Sequence, residues 1–175
     1  MRLFHVSEEA EITKFEPRIP TRNDLDSTVG LVWAIDENHL PNFLTPRNCP
    51  RVAYSLCAKT TQADIQRFFT CPTMRHVLIV EYKWLDAIRK TTLFLYEFDS
   101  EEFTLQDQTA GYYVARKTQY PKAKWEIQDL LSELCRRNVE LRFVDNLWPI
   151  AKAIKNSTLH WSLCRMAFAQ PETQP

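Results

Sequence analysis

Residues 76–98 read HVLIVEYKWLDAIRKTTLFLYEF, and this stretch decides the fold class. Its first seven residues, HVLIVEY (76–82), are rich in β-branched side chains and predict the clearest strand in the chain. WLDAIRK (84–90) predicts a short helix, and TLFLYEF (92–98) predicts a second strand. Because strands here and elsewhere follow one another without long crossover helices, the sequence predicts an α+β fold with a mixed or antiparallel sheet and short flanking helices.

The remaining elements follow from periodicity and from turn residues. Further strands are predicted at 2–6, 29–36, 51–56, 112–117, 139–144 and 158–166. Helices are predicted at 8–15, 37–44, 60–69, 125–138 and 147–156. A polar, proline-bearing loop is expected at 16–28. No internal repeat or long linker divides the chain, so we expect one domain over residues 1–169 and a disordered tail over residues 170–175.

Composition restricts the function classes. Apolar residues make up 45% and charged residues 25% of the 175 residues, as in an ordinary globular protein. The formal net charge is zero, which disfavours duplex nucleic acid as a constitutive partner. No apolar run approaches the roughly 20 residues that span a bilayer, so no membrane association is expected. Five scattered cysteines without a CxxC pair indicate reduced thiols and a cytoplasmic location.

Glycine is scarce, since Gly30 and Gly111 are the two glycines in the sequence. Phosphate-binding loops of the Walker and Rossmann types need several glycines close together. Both types are therefore excluded, and a phosphorylated ligand would have to be bound in another way.

The first candidate site residue is His5, in the opening stretch MRLFHVSEE. A lone histidine on a strand is more often structural than catalytic. Here, however, the predicted strand ends close to His5, and Ser7 resembles a helix N-cap followed by acidic residues. Backbone amides at such a turn can bind an anion or a ribose oxygen. We therefore expect His5 to be displayed at a strand end.

The second candidate lies in DQTAGYYVARK, residues 107–117. Gly111 permits a tight turn, and Tyr112 and Tyr113 then point to opposite faces of the following strand. Arg116 is a cation of the type that grips a phosphate bidentately. The alternative is an ordinary hairpin with a solvated charge, and the sequence leaves both open.

Other polar groups carry weaker signals. Arg47 and Arg51 flank Cys49 in PRNCPR and suit either a pyrophosphate clamp or a solvated loop. His39 and His160 have no partner at metal-ligand spacing, so no metal site is expected. Nor does any motif of a serine hydrolase or a zinc protease occur.

Several stretches together resemble a family of small bacterial proteins without assigned function. They are LFHVSEE with FEPR, VWAIDENHLPNFLTPRNCPRV, AGYYVARK, and LWPI with STLHWSLCRM. This resemblance covers nearly the whole chain and implies a stand-alone domain. The family offers no activity that could be carried over to this chain.

A second resemblance covers about a third of the chain. The aromatic–His–x–Ser element FHVS at 4–7 is similar to the opening of ADP-ribosyltransferase-like domains. TLFLYEFDSEEF, followed by Asp107 and YYVARKTQYP, is similar to the corresponding region of the rifampin ADP-ribosyltransferases. This resemblance implies an ADP-ribosyltransferase-like split sheet and NAD as the substrate. ADP-ribose would be transferred to a small molecule or macromolecule, or NAD would be hydrolysed.

The resemblance also implies roles for individual residues. His5 would bond the nicotinamide-side ribose, Ser7 would line the nicotinamide pocket, and Asp107 would stabilise an oxocarbenium-like transition state. Glu97 or Glu102 could take the acidic role instead.

The same resemblance places aromatic residues around NAD. Phe43 stands where those enzymes have a tyrosine that stacks on nicotinamide, and Tyr54 is the alternative. Trp33 and Tyr113 would complete a cleft with His5 and Phe43, and Arg116 would contact the cofactor. Two further hypotheses remain: a binding module that holds a nucleotide or small ligand without turnover, and a structural or interaction protein with no small-molecule site.

Overall fold

A computed structural model describes residues 1–20, 26–71 and 73–172. The chain divides into two compact units. Unit 1 comprises Met1–Phe43 and Thr92–Ile127, and unit 2 comprises Leu44–Thr91 and Gln128–Pro175. Each unit is built on one β-sheet, so the predicted α+β class is confirmed. The expectation of one domain over residues 1–169 stays a prediction.

The described residues contain ten strands and four short α-helices. The strands are β1 (Leu3–Ser7), β2 (Val32–Asp36), β3 (Arg51–Ser55), β4 (His76–Glu81), β5 (Leu93–Phe98), β6 (Thr104–Asp107), β7 (Tyr112–Ala115), β8 (Ala123–Ile127), β9 (Val139–Val144) and β10 (His160–Cys164). The helices are α1 (Gln62–Phe68), α2 (Leu85–Lys90), α3 (Leu130–Arg136) and α4 (Trp148–Ile154). A 3₁₀ helix, Leu40–Phe43, occupies half of the helix predicted at 37–44.

The sheet of unit 1 has the strand order β6-β7-β2-β1-β5-β8, and every neighbouring pair is antiparallel. Its strands alternate, so that successive side chains face opposite sides of the sheet. One face carries an apolar core whose buried members are Leu3, Phe15, Val32, Ala34, Tyr96, Phe98, Phe103 and Ala115. This core surrounds the position of His5.

The sheet of unit 2 has the strand order β10-β3-β4-β9. Because β4 and β9 are parallel while the other pairs are antiparallel, this sheet is mixed, as predicted. All four α-helices lie in unit 2. Its core contains the buried residues Val52, Tyr54, Phe68, Phe69, Val77, Ile79, Leu147, Ala151, Ile154 and Leu159.

The helix predicted at residues 8–15 is wrong, because the chain there is irregular, with bends at Glu8 and Ala10 and an isolated bridge from Phe15 to Gln119. The Tyr96 hydroxyl donates to the Glu9 carbonyl oxygen (2.6 Å) and accepts from the Ile12 amide (3.2 Å). Lys124 Nζ donates to the Ala10 carbonyl oxygen at 2.7 Å. Tertiary partners thus take backbone groups that a helix would have used internally. Ser7 Oγ accepts from the Glu9 amide (3.1 Å) and closes a local turn rather than capping a helix.

The helix predicted at residues 125–138 is wrong in its first part. Trp125 and Ile127 belong to β8, and the helix α3 begins at Leu130. The Asp129 carboxylate accepts from the Ser132 amide at 3.0 Å and is the N-cap. The apolar residues before Asp129 also fit a period of two, and pairing with β5 selects the strand.

Parts of two predicted segments lie outside the described residues: 21–25 of the loop at 16–28, and 173–175 of the tail at 170–175. The earlier tail residues are held in place. The Gln170 amide donates to both carboxylate oxygens of Glu81 (2.9 and 3.1 Å), and Asn146 Nδ2 donates to the Pro171 carbonyl oxygen (2.9 Å).

Candidate functional site

The two central strands of the unit 1 sheet separate at His5. Strand β1 pairs with β5 over five residues, but it pairs with β2 over two residue pairs, Leu3–Asp36 and Phe4–Ile35. Beyond Phe4, Nδ1 of His5 lies 3.1 Å from the carbonyl oxygen of Trp33 in β2. We call this opening, between His5 on β1 and Trp33 on β2, the His5 fork.

The Trp33 carbonyl orients the imidazole. A carbonyl oxygen can accept a hydrogen bond but not donate one, so Nδ1 carries the proton in this contact. In the neutral tautomer, Nε2 is then an acceptor. The fork therefore holds one side-chain acceptor in a fixed direction.

The surroundings of His5 favour its neutral form. The ring is half-buried, and its centroid lies 4.7 Å from that of Phe15. Burial lowers the pKa of His5, and the positive charge of Arg18 lowers it further, whereas the hydrogen bond to the Trp33 carbonyl acts in the opposite direction. The net pKa lies below the ordinary value of 6.5, so His5 is mainly neutral at pH 7.

Three of the predicted site residues share one face of the sheet. His5 and Ser7 lie on the same face of β1 because they are two residues apart. Tyr113 packs against the apolar core on this face. Its register partner is Ala34, itself a member of that core. Leu3, Tyr96 and Phe15 complete the surroundings of this side of the fork.

Trp33 and Phe43 lie on the opposite face. The ring of Tyr112, which alternation turns away from Tyr113, lies 5.4 Å from the Trp33 ring and 5.8 Å from the Phe43 ring between centroids. The sheet thus separates these two aromatic side chains from the His5 imidazole. His5, Trp33, Phe43 and Tyr113 do not line one cleft.

Asp107 lies far from His5 in the sheet. It is on β6, and β7 and β2 stand between β6 and β1. Three strand spacings of about 4.8 Å separate the two strands by roughly 14 Å. Asp107 Oδ1 accepts from the Ala110 amide at 3.1 Å, so this carboxylate stabilises its own turn.

The alternative acids are also held elsewhere. Glu97 is buried and accepts two hydrogen bonds from Arg2, at 3.1 and 2.9 Å. It is paired in register with Phe4, so it lies on the face opposite His5. Hydrogen bonding to Arg2 is the main reason that the pKa of Glu97 is lowered. Glu102 is paired with Lys117 at 2.9 Å.

The predicted cations and the alternative aromatic residue take other positions. Arg116 is exposed just past the end of β7. Hydrogen bonds from Thr28 are the main reason that the pKa of Asp26 is lowered, and the charge of Arg116 adds a smaller effect. Arg51 is buried in unit 2 and donates to the Cys49 carbonyl oxygen (2.9 Å), while Arg47 is exposed. Tyr54 is buried in the core of unit 2 and donates to the Phe68 carbonyl oxygen (2.6 Å).

Two features of unit 1 were missed from the sequence. Phe15 and Arg18 approach His5 from the loop, although nothing in their local pattern distinguishes them. Asp36 Oδ1 accepts from the His39 amide at 2.8 Å, in the turn that follows β2. The same oxygen also lies 2.8 Å from Nδ1 of the buried His39 ring, a contact that the three-residue spacing could have suggested.

A comparison with protein-family models matches residues 4–169 to a family of unknown function, DUF6886. The chain belongs to this family. No curated protein matches it, and no solved structure matches it. The resemblance to an uncharacterised family is therefore confirmed for the DUF6886 chain, whereas no comparison supports a relationship to the ADP-ribosyltransferases.

Within 1–20, 26–71 and 73–172, no group of three or more histidine, cysteine, aspartate or glutamate side chains could hold a metal ion. In the same ranges, no helix has both the length and the apolar character needed to cross a membrane.

Proposed function

We propose that this DUF6886 chain binds a small ligand of the nucleotide class at the His5 fork and does not turn it over. The observation that carries the proposal is the hydrogen bond between His5 Nδ1 and the Trp33 carbonyl oxygen. It fixes the tautomer of the imidazole, which burial keeps mainly neutral, and directs Nε2 as an acceptor in a half-buried position. An acceptor of this kind suits a ribose hydroxyl.

Neighbouring groups complete the case for a nucleotide. Tyr113 is partly exposed on the same face as His5 and brings a phenolic hydroxyl. Arg18 is exposed and close enough for its charge to act on the imidazole. A guanidinium binds phosphate bidentately. Arg18 would therefore make the phosphate contact that backbone amides make in a glycine-rich loop.

The absence of turnover follows from the positions of the acids. Cleavage of the nicotinamide–ribose bond builds positive charge on the ribose, and that charge needs a carboxylate close by. Asp107 is held in its own turn, Glu97 is locked by Arg2 on the other face, and Glu102 is paired with Lys117. The geometry therefore supports binding better than transfer.

Isothermal titration calorimetry with NAD and with an unreactive NAD analogue tests the proposal. The informative variant is His5→Asn, because the asparagine Nδ2 can still donate to the Trp33 carbonyl while the Nε2 acceptor is lost. We expect this variant to bind about tenfold more weakly, as for one lost hydrogen bond. His160→Ala, in unit 2, is the matched control and should bind like the wild type. Absence of saturation at millimolar ligand would reject the proposal and leave His5 a structural role.

ADP-ribose transfer, or hydrolysis of NAD, is the second candidate function. The observation in its favour is that His5 and Ser7 share a face at the end of β1, which suits the roles that the resemblance to ADP-ribosyltransferases implies for them. Release of free nicotinamide separates the two candidates. Saturable binding without release supports the binding module, and steady release that disappears in His5→Ala supports the enzyme.

A further inference from the structure

The outer edge of β8 is the most regular open edge in unit 1. The sheet ends at β6 on one side and at β8 on the other. Strand β6 has four residues and a register irregularity between Leu105 and Asp107, which is a device that hinders edge-to-edge pairing. Strand β8 instead pairs with β5 over five residues without a register shift. Its outer edge can therefore pair with another strand in regular register.

Side chains along β8 are exposed and alternate in character. Lys124, Trp125 and Glu126 are all exposed, and 41% of the Trp125 surface is accessible. The Trp125 ring also lies 6.3 Å from the Phe4 ring between centroids, and its centroid lies 5.4 Å from the guanidinium carbon of Arg2, so a second chain would cover only the part that remains exposed. Lys124 and Glu126 lie on the same face, two residues apart, and Trp125 lies on the other.

The residues of β8 are complementary to those of a second, antiparallel copy of β8. In an antiparallel pair of two β8 strands centred on Trp125, Lys124 of each copy stands opposite Glu126 of the other. Ala123 then faces Ile127, and the two Trp125 rings face each other. Opposite charges and aromatic pairs across neighbouring strands stabilise a sheet, whereas like charges destabilise it. A two-fold axis is the commonest symmetry of soluble oligomers.

Lys124 can take part without giving up its present contacts. Its Nζ donates to the Ala10 carbonyl oxygen at 2.7 Å and lies 3.5 Å from Oε1 of the exposed Glu11. An ammonium group has three donors, so one remains for a carboxylate on another chain.

We propose that two copies of this chain associate by antiparallel pairing of their β8 edges about Trp125. The pairing joins two six-stranded sheets into one of twelve strands. Because each partner contributes five residues, the interface is at the small end of known interfaces. The dimer is therefore weak and depends on protein concentration and on salt.

Charge reversal gives a test that contains its own control. Lys124→Glu places two glutamates opposite each other, and Glu126→Lys places two lysines opposite each other. The double variant with both changes restores opposite charges. Sedimentation velocity over a range of concentrations should show a dimer for the wild type. Each single variant should associate about tenfold or more weakly and shift towards monomer, and the double variant should recover the dimer.

Two controls separate association from folding. Lys14→Glu makes the same charge change at an exposed site of unit 1, and it should leave the dimer unchanged. The double variant lacks the Lys124–Ala10 contact just as Lys124→Glu does, so a general loss of structure would persist in it. A wild type that stays monomeric at all concentrations, or a double variant that does not recover, overturns the proposal. Association with some other strand but not with itself also overturns it.

Discussion

Nδ1 of His5 lies 3.1 Å from the carbonyl oxygen of Trp33, at the point where β1 and β2 cease to pair. The Trp33 carbonyl oxygen thus accepts a hydrogen bond from the His5 side chain, where a backbone amide of the neighbouring strand would donate in a regular sheet. His5→Ala should lower the free energy of unfolding by about 1–2 kcal/mol, because the carbonyl loses its partner and the contact with Phe15 is lost. His5→Asn should lower the free energy of unfolding by less than half as much, because the asparagine Nδ2 can donate to the Trp33 carbonyl in place of the His5 Nδ1. Urea denaturation measures both, and equal losses would contradict this account.

His5 should also impose a pH dependence on stability. Its pKa in the folded protein lies below 6.5, mainly because of burial, so the unfolded chain binds the proton more readily. This contribution is complete above about pH 6.5 and is lost as the pH falls from 6.5 through the folded pKa. Urea denaturation from pH 8 to pH 5 should show a smaller decline for His5→Asn than for the wild type. Parallel curves would show that His5 does not titrate differently on folding.

Gly111 should not tolerate a side chain. Its φ is +72°, and an added Cβ would lie 2.3 Å from Nδ1 of His39. Gly111→Ala should therefore destabilise the protein by about 3 kcal/mol, from backbone strain together with displacement of the His39 ring. Gly30→Ala is the matched control. An added Cβ at Gly30 would lie 3.1 Å from Pro17 Cβ, and Gly30 has no left-handed backbone conformation, so we expect a smaller loss of stability. Thermal denaturation compares the two variants.

Arg2 and Glu97 should be coupled energetically. Glu97 is buried and Arg2 is about half exposed, so solvent screens the pair and we expect a coupling of about 1 kcal/mol. A double-mutant cycle with Arg2→Met and Glu97→Gln measures it. Because the pKa of Glu97 is lowered, the coupling should be present above about pH 4.5 and vanish as the pH falls through its folded pKa. Strict additivity at pH 7 would be the contrary result.

Cysteine reactivity should differ sharply between Cys57 and Cys49. Burial raises the pKa of Cys49 to about 12, whereas hydrogen bonding from Thr60 and neighbouring amides lowers the pKa of the partly exposed Cys57. The thiolate is the reactive form, so Cys57 should be alkylated much earlier at pH 8. Mass spectrometry of samples quenched over time gives the order. Labelling of Cys49 at the same rate under native conditions would contradict the burial seen here.

Local pattern was sufficient for most individual elements. The β-branched run at His76–Glu81 is a strand, and the threonine start before Gln62 caps α1. Pattern failed where a tertiary partner intervened. Tyr96 and Lys124 bind backbone groups of residues 9–12 that a helix would use internally, and pairing with β5 draws Trp125 into a strand although it also fits a helical period.

The candidate site was predicted less well than the fold. Alternation correctly implied that Tyr112 and Tyr113 face opposite ways. Nothing in the sequence indicates that Trp33 turns its side chain away from His5 while offering its carbonyl. Nor does it indicate that Arg2 engages Glu97, since 95 residues separate them.

The sequence alone was enough to predict the α+β class, the positions of most strands along the chain, and the face on which each side chain of a strand lies. These properties depend on propensities and on periods of two or 3.6 residues, which are local. Only the tertiary structure decided that β7 and β2 stand between Asp107 and His5, and that Phe15 covers the imidazole. Strand order and loop packing depend on burial and pairing between distant segments, and no local pattern records which distant segment will be the partner.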